Sequence, residues 1–94
     1  MVGDSMVPTL TAGEFVLVDP RRRPEVGRLA VADHPNRPDL LVVKRVQSIT
    51  GDGRYVLASD NPAAGTDSRT WGPLEPRAVV GTVTLVFGRS SADL

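Results

Sequence analysis

Ser5 and Lys44 are the residues of this chain whose types and surroundings could break a covalent bond. A serine hydroxyl is a poor nucleophile until a neighbouring base takes its proton. A lysine can be that base only when neutral, so its ordinary pKa of about 10.4 must fall by roughly 3 units or more. Burial among apolar side chains lowers it by penalising the charged form, by up to about 3–5 units. The run from Leu40 to Ile49 offers such surroundings. With the alternation of a strand, Lys44 shares a face with Leu40, Val42 and Val46, while Arg45 points the other way with Leu41, Val43 and Gln47. Taken alone, Lys44 reads better as an edge lysine reaching to water. Ser5 changes that balance. It lies in Gly3-Asp4-Ser5-Met6-Val7-Pro8-Thr9-Leu10, where Pro8 lacks an N–H and confines Val7 to extended geometry. Together the two fragments suggest a Ser/Lys peptidase.

Other chemistries have less to stand on. The single histidine, His34, sits in a Pro-rich turn with nothing apolar around it, a poor setting for a Ser-His-Asp triad. One histidine, no cysteine and scattered carboxylates give no ligand cluster, so no metal and no cofactor is expected. The lack of cysteine also excludes disulfide staples. A formal net charge of zero argues against nucleic acid as a partner. No apolar run approaches the ~18–20 residues that span a bilayer, and the N-terminus lacks the basic start and apolar core of a signal peptide. The chain as it stands reads as soluble, and the short lead before Ser5 leaves room for a strand or membrane anchor outside this sequence. Membrane contact is left open but not indicated: Arg21-Arg22-Arg23 could touch anionic headgroups, yet three arginines in a Pro-flanked turn are more often solvated.

Ninety-four residues make one small domain, residues 1–94. Gly and Pro punctuate short valine-rich runs, and no stretch has helical periodicity, so the expected fold is all-β and mostly antiparallel. Strands are expected at Glu14 to Asp19, Arg28 to Ala32, Leu40 to Ile49, Arg54 to Ala58 and Ala78 to Phe87. A polar connection from His34 to Asp39 and a hairpin at Gly51-Asp52-Gly53 join neighbouring strands. Residues 59–77 form a segment too long for an idle loop, and therefore a candidate functional one. In the last strand Val79, Val83, Leu85 and Phe87 are expected on one face, and the tail from about residue 88 is expected to fray.

These fragments resemble a known family. Ser5-Met6-Val7-Pro8-Thr9-Leu10 resembles the nucleophile box of type I signal peptidases, and Gly13-Glu14-Phe15-Val16-Leu17-Val18 the strand box that follows it. Leu41-Val42-Val43-Lys44-Arg45-Val46 is similar to the strand of the family's general base. Ser59-Asp60-Asn61, with Thr66-Asp67-Ser68-Arg69-Thr70-Trp71-Gly72-Pro73-Leu74, resembles its last box, and Val80-Gly81-Thr82-Val83 also fits. The resemblance implies a signal-peptidase-like β domain in which Ser5 attacks the scissile carbonyl and Lys44 serves as base, then acid. The backbone N–H of Ser5 would help bind the oxyanion. Asp60, Asn61, Asp67, Ser68 and Arg69 would brace the site, with Asp67 and Arg69 as an ion pair. Met6 and Pro8 would border a groove in which a protein precursor lies extended, although core packing accounts for most of the apolar residues concerned, Met6 included.

Three positions depart from the family pattern. Gly3 stands where some members add an oxyanion-hole serine. Ser59 replaces a glycine, and Gly65 replaces the serine that orients the lysine, which leaves Lys44 less constrained unless Thr66 or Ser68 substitutes. His34-Pro35, Asp60-Asn61-Pro62 and Gly65-Thr66-Asp67-Ser68 look most like the small maturation proteases of nickel superoxide dismutase, which remove a leader from that enzyme's precursor. That subgroup implies a cytoplasmic enzyme. The alternative, a membrane-associated signal peptidase acting on secretory signal peptides, implies an extracytoplasmic one. Self-cleaving repressors share a related Ser/Lys fold but normally add a DNA-binding domain and lack the Asp-Ser-Arg box. A β module that keeps the fold but no longer cuts is the non-enzymatic alternative.

Overall fold

The computed structural model describes Met6 and residues 14–88. Five strands, β1 (Glu14–Asp19), β2 (Leu29–His34), β3 (Arg37–Ile49), β4 (Tyr55–Ala58) and β5 (Val79–Gly88), form one sheet in the order β1-β5-β2-β3-β4. Every neighbouring pair is antiparallel, so the small all-β fold is as expected. β3 begins earlier than the alternation suggested, because the connection after β2 is itself a tight hairpin closed by the His34↔Arg37 pair. The pairing then jumps to Asp33↔Leu41, a bulge that accommodates Pro38, which has no N–H to give a ladder. At the other end of β3, Gly53 supplies the positive φ of 88° on which the turn into β4 depends.

The sheet has an apolar cluster on each face. Ala30 and Ala32 of β2 and Val46 of β3 pack under Tyr55, Leu57, Leu74 and Val79, with Val42 and Trp71 at the margin. Val31, Val43 and Val83 point the other way and are closed by the fully buried Met6, with Val16, Val18 and Val86 around them. Period-two alternation along β2 and β3 feeds both clusters, which is why the sheet centre is buried on both sides.

β5 departs from the expected single face. Val79 lies in the first cluster and Val83 in the second, while Leu85 and Phe87 are exposed. Val80 and Thr84 are the extra residues at two bulges, one where the pairing passes from Ala32↔Val79 to Val31↔Gly81, the other from Val18↔Val83 to Leu17↔Leu85. Each bulge inverts the alternation beyond it, so a simple count along the strand fails twice. Phe15 and Phe87, directly paired, stack with ring centroids 5.7 Å apart.

The turn after β1 is tied to β5. Arg23 donates to the carbonyls of Val79 (2.7 Å) and Pro76 (3.1 Å), and the Thr82 hydroxyl donates to the Arg22 carbonyl (2.7 Å). Arg23 is thus a structural strut, unlike Arg21, whose side chain is in water. The close approach requires glycine at position 81, where a Cβ would stand 2.3 Å from the Asp19 carbonyl oxygen. Gly81→Ala is therefore expected to lower stability by about 1–3 kcal/mol, measured by urea unfolding. An unchanged midpoint would mean the turn can yield.

Candidate active site

Lys44 sits in the middle of β3, on the face of the first cluster, directly opposite Ala30 of β2. Only 4% of its surface is exposed. Its Nζ donates to Ser59 Oγ at 3.0 Å and lies 6.0 Å from the centre of the Trp71 ring. Burial pushes its pKa below the ordinary 10.5; Asp67 raises it in part, and Arg69 lowers it again. This is the direction a general base requires.

The segment after β4 wraps around the amine. Residues 59–77, expected to be irregular, hold a 3-10 turn (Pro62–Ala64), a one-turn helix α1 (Ser68–Trp71) and a second 3-10 turn (Pro76–Ala78). Asp67 caps α1 and is its buried centre. Its side chain is 2% exposed and accepts from Ser59 N (2.7 Å), Arg69 N (3.0 Å) and Arg69 Nε (2.8 Å). Burial alone would raise this carboxyl, but the bonds from Arg69 and from the Ser59 amide outweigh it and hold the pKa below the usual carboxylate range. Arg69 also donates to the Pro62 carbonyl at 2.9 Å, which fastens the whole segment. The expected Asp67–Arg69 brace is present.

Residues 59 and 60 are gripped by consecutive residues of β3 from opposite faces. Lys44 holds Ser59, while Arg45 makes two bonds to the Asp60 carboxylate, 2.9 and 2.8 Å, and a third to the Gly27 carbonyl, 2.8 Å. The bidentate geometry makes this partly exposed pair more specific than a single contact, although such pairs add only about 1 kcal/mol or less. The backbone carbonyl of Asn61 opens the first 3-10 turn, accepting from Ala64 N at 3.1 Å, and the Ser68 hydroxyl accepts from Leu57 N at 2.8 Å.

Ser5 and Pro8 lie outside the described residues. Met6, expected beside a groove, has no exposed surface; its Sδ accepts the Asp60 N–H at 3.3 Å. In this structure it works as an anchor, closing the second cluster and holding the Asp60 amide. Ser59, read from the sequence as a departure, is the hydroxyl that meets Lys44. Thr66, considered as a substitute, contributes its carbonyl, which accepts from Ser59 Oγ at 3.4 Å. His34 rests edge-on against Trp71 at 4.9 Å and accepts from Asn36 N through Nδ1. Among the described residues no three His, Cys, Asp or Glu side chains gather as a metal site. A cavity of about 280 Å3, bordered by Gly27, Arg28, Arg45 and Thr84 among others, lies on the Arg45 side and touches none of the groups that hold Lys44.

A family model described as peptidase S24-like matches residues 1–83. The mitochondrial inner membrane protease subunit 1 of Schizosaccharomyces pombe is 36% identical over 95 aligned positions, covering 77% of this chain and 60% of the relative. The chain therefore spans rather more than half the length of that curated relative. No helix among the described residues is long and apolar enough to cross a membrane. No solved structure matches the chain. Matched across almost all of its length, the chain belongs to the peptidase S24-like family.

Proposed function

We propose that the chain is a serine endopeptidase of the signal-peptidase type, with Ser5 as nucleophile and Lys44 as general base. The observation that carries this reading is Lys44 itself. It is the only lysine of the chain, buried on an apolar strand face, held by a neutral hydroxyl, its pKa pushed down by desolvation. Neutral Lys44 takes the Ser5 proton as the oxygen attacks the scissile carbonyl, then returns it to the leaving amine. Water then attacks the acyl-enzyme, losing its proton to Lys44, which passes it to Ser5 Oγ as the ester bond breaks and the carboxylic product leaves. The Ser5 N–H contributes to binding the oxyanion. A protein or peptide substrate lies extended beside the site. In support of this, the edge of β3 from Arg37 to Lys44 that faces away from β2 pairs with no described strand.

The reaction removes an N-terminal leader from a precursor. Two substrate classes suit it: a secretory-type signal peptide, favoured by the similarity to a membrane protease subunit, or the leader of a nickel-type superoxide dismutase, favoured by the His34-Pro35 and Asp60-Asn61-Pro62 motifs. Incubation with both precursors, read by mass spectrometry beside a Ser5→Ala control, separates them. The expected result is one new N-terminus that the control does not produce. Cutting of the dismutase leader alone assigns a dedicated maturation protease, and cutting of the signal peptide assigns the broader activity. Equal products from the control would remove Ser5 from the reaction.

A further inference from the structure

We infer that Ser59 is the positioning residue of Lys44: its hydroxyl, set opposite the amine by a bulge in β3 and fixed from behind by Thr66 and Asp67, aims the base. The inference rests on the Ser5/Lys44 reading and adds to it a residue that sequence spacing marks only as a deviation.

The argument begins with strand register. The outer pairs of the β3–β4 hairpin are Ile49↔Tyr55 and Ser48↔Val56. Continued without interruption, that register brings Asp60 opposite Lys44, and a carboxylate there would stabilise the ammonium. Gln47 is an extra residue, so the next pairs are Val46↔Leu57 and Arg45↔Ala58. One step further, Ser59 stands opposite Lys44, while the Asp60 carboxylate is taken by Arg45. A single inserted residue therefore exchanges a charged partner for a neutral one.

The hydroxyl has a defined polarity. Ser59 Oγ has one proton, directed at the Thr66 carbonyl (3.4 Å), which leaves its lone pairs to accept from Lys44 Nζ (3.0 Å). The Ser59 main chain is held by its N–H on Asp67 Oδ2 (2.7 Å), and Asp67 is held by Arg69. With one N–H committed to Ser59, the rotation of the amine is restricted and its remaining positions are directed. Among the described residues the charged groups that bear on Lys44 come from the α1 segment, Asp67 and Arg69, which act in opposite senses. β2 presents uncharged Ala30, and Arg45 points to the other face with Asp60.

Because Lys44 is the only lysine, protein labelled with 15Nζ,13Cε-lysine gives one side-chain amine signal whose titration can be followed by NMR in the intact chain. Loss of a hydroxyl that accepts from the ammonium removes support for the charged form. In Ser59→Ala the titration midpoint of Lys44 is therefore expected to fall. With the precursor that the wild type cuts, the acid limb of the kcat profile moves to lower pH, and plateau kcat falls roughly 10–100-fold with KM little changed. Ser59→Thr keeps the hydroxyl and is expected to restore the midpoint and most of kcat. Ser59→Cys, a close fit but a weak acceptor, follows Ser59→Ala and serves if alanine unfolds the segment. A wild-type midpoint and kcat in folded Ser59→Ala or Ser59→Cys overturns the assignment. If the wild type cuts neither precursor while Ser59→Ala still moves the midpoint, the peptidase reading fails and the hold of Ser59 on Lys44 stands.

Discussion

Lys44→Met is expected to abolish peptide hydrolysis, by at least about 10⁴-fold, and at the same time to make the protein more stable at neutral pH. Both effects have one cause. A buried amine gives up hydration on folding, and methionine has a similar shape without that cost. By analogy with other buried charges replaced by apolar side chains, the gain is about 1–3 kcal/mol. The sign of its pH dependence follows from linkage. Burial lowers the folded pKa of Lys44 below the 10.5 of the free side chain. Between those two values the unfolded chain binds more protons than the folded one, so wild-type stability rises with pH, by at most about 1.4 kcal/mol per unit. The advantage of Lys44→Met is thus full below the folded pKa of Lys44 and shrinks as pH rises from there toward 10.5. Thermal unfolding of both proteins across that window, with a cleavage assay at neutral pH, measures both halves. A variant that is inactive but less stable at neutral pH would show that Lys44 contributes more by its bonds than it costs by its burial.

Asp67→Ala has the largest expected structural effect. The carboxylate is the common acceptor of the Ser59 amide, the Arg69 amide and the Arg69 guanidinium, and its side chain is 2% exposed. The guanidinium, 58% exposed, can return to water; the Ser59 amide, in a buried residue, cannot. Counting mainly the orphaned amide and the lost cap of α1, the expected loss is about 2–4 kcal/mol. The folded pKa of Asp67 is depressed, so its contribution is present above the ordinary 3.8 and is lost as pH falls through the lower folded value. The gap between wild type and Asp67→Ala should therefore be wide at neutral pH and close in acid, read by urea unfolding at each pH. A constant gap would mean that the charge matters less than the shape of the side chain. Activity should fall too, since Ser59 loses the anchor that keeps its hydroxyl against Lys44.

Much of this site is legible in the chain. Alternation alone sorts Lys44 and Arg45 to opposite faces of β3, and in the structure they grip Ser59 and Asp60 from those faces. The length of residues 59–77 marks a candidate functional segment, and Asp67 and Arg69 pair as their motif implies. Other parts could not be read this way. Ser59 stands where the family motif has a glycine, so spacing offers no reason to choose it over Thr66 or Ser68. Met6 looks like a groove residue because it adjoins Ser5, yet its contacts with Val31, Val43 and Val83 come from distant strands. Arg23 looks like one of three solvated arginines until β5 brings two carbonyls to it.

What the sequence determined by itself is local. Valine-rich runs between Gly and Pro make strands, and a lysine in the middle of such a run is carried onto an apolar face, where desolvation bears on its charge. These follow from the period of the backbone and the types of neighbouring side chains. Tertiary structure decided register. Bulges at Gln47, Val80 and Thr84 each shift pairing by one residue. They expose Leu85 and Phe87, hand Asp60 to Arg45 and bring Ser59 to Lys44. Whether a residue bulges depends on how two strands, their turn and the packing on both faces fit together, and no single run contains that information.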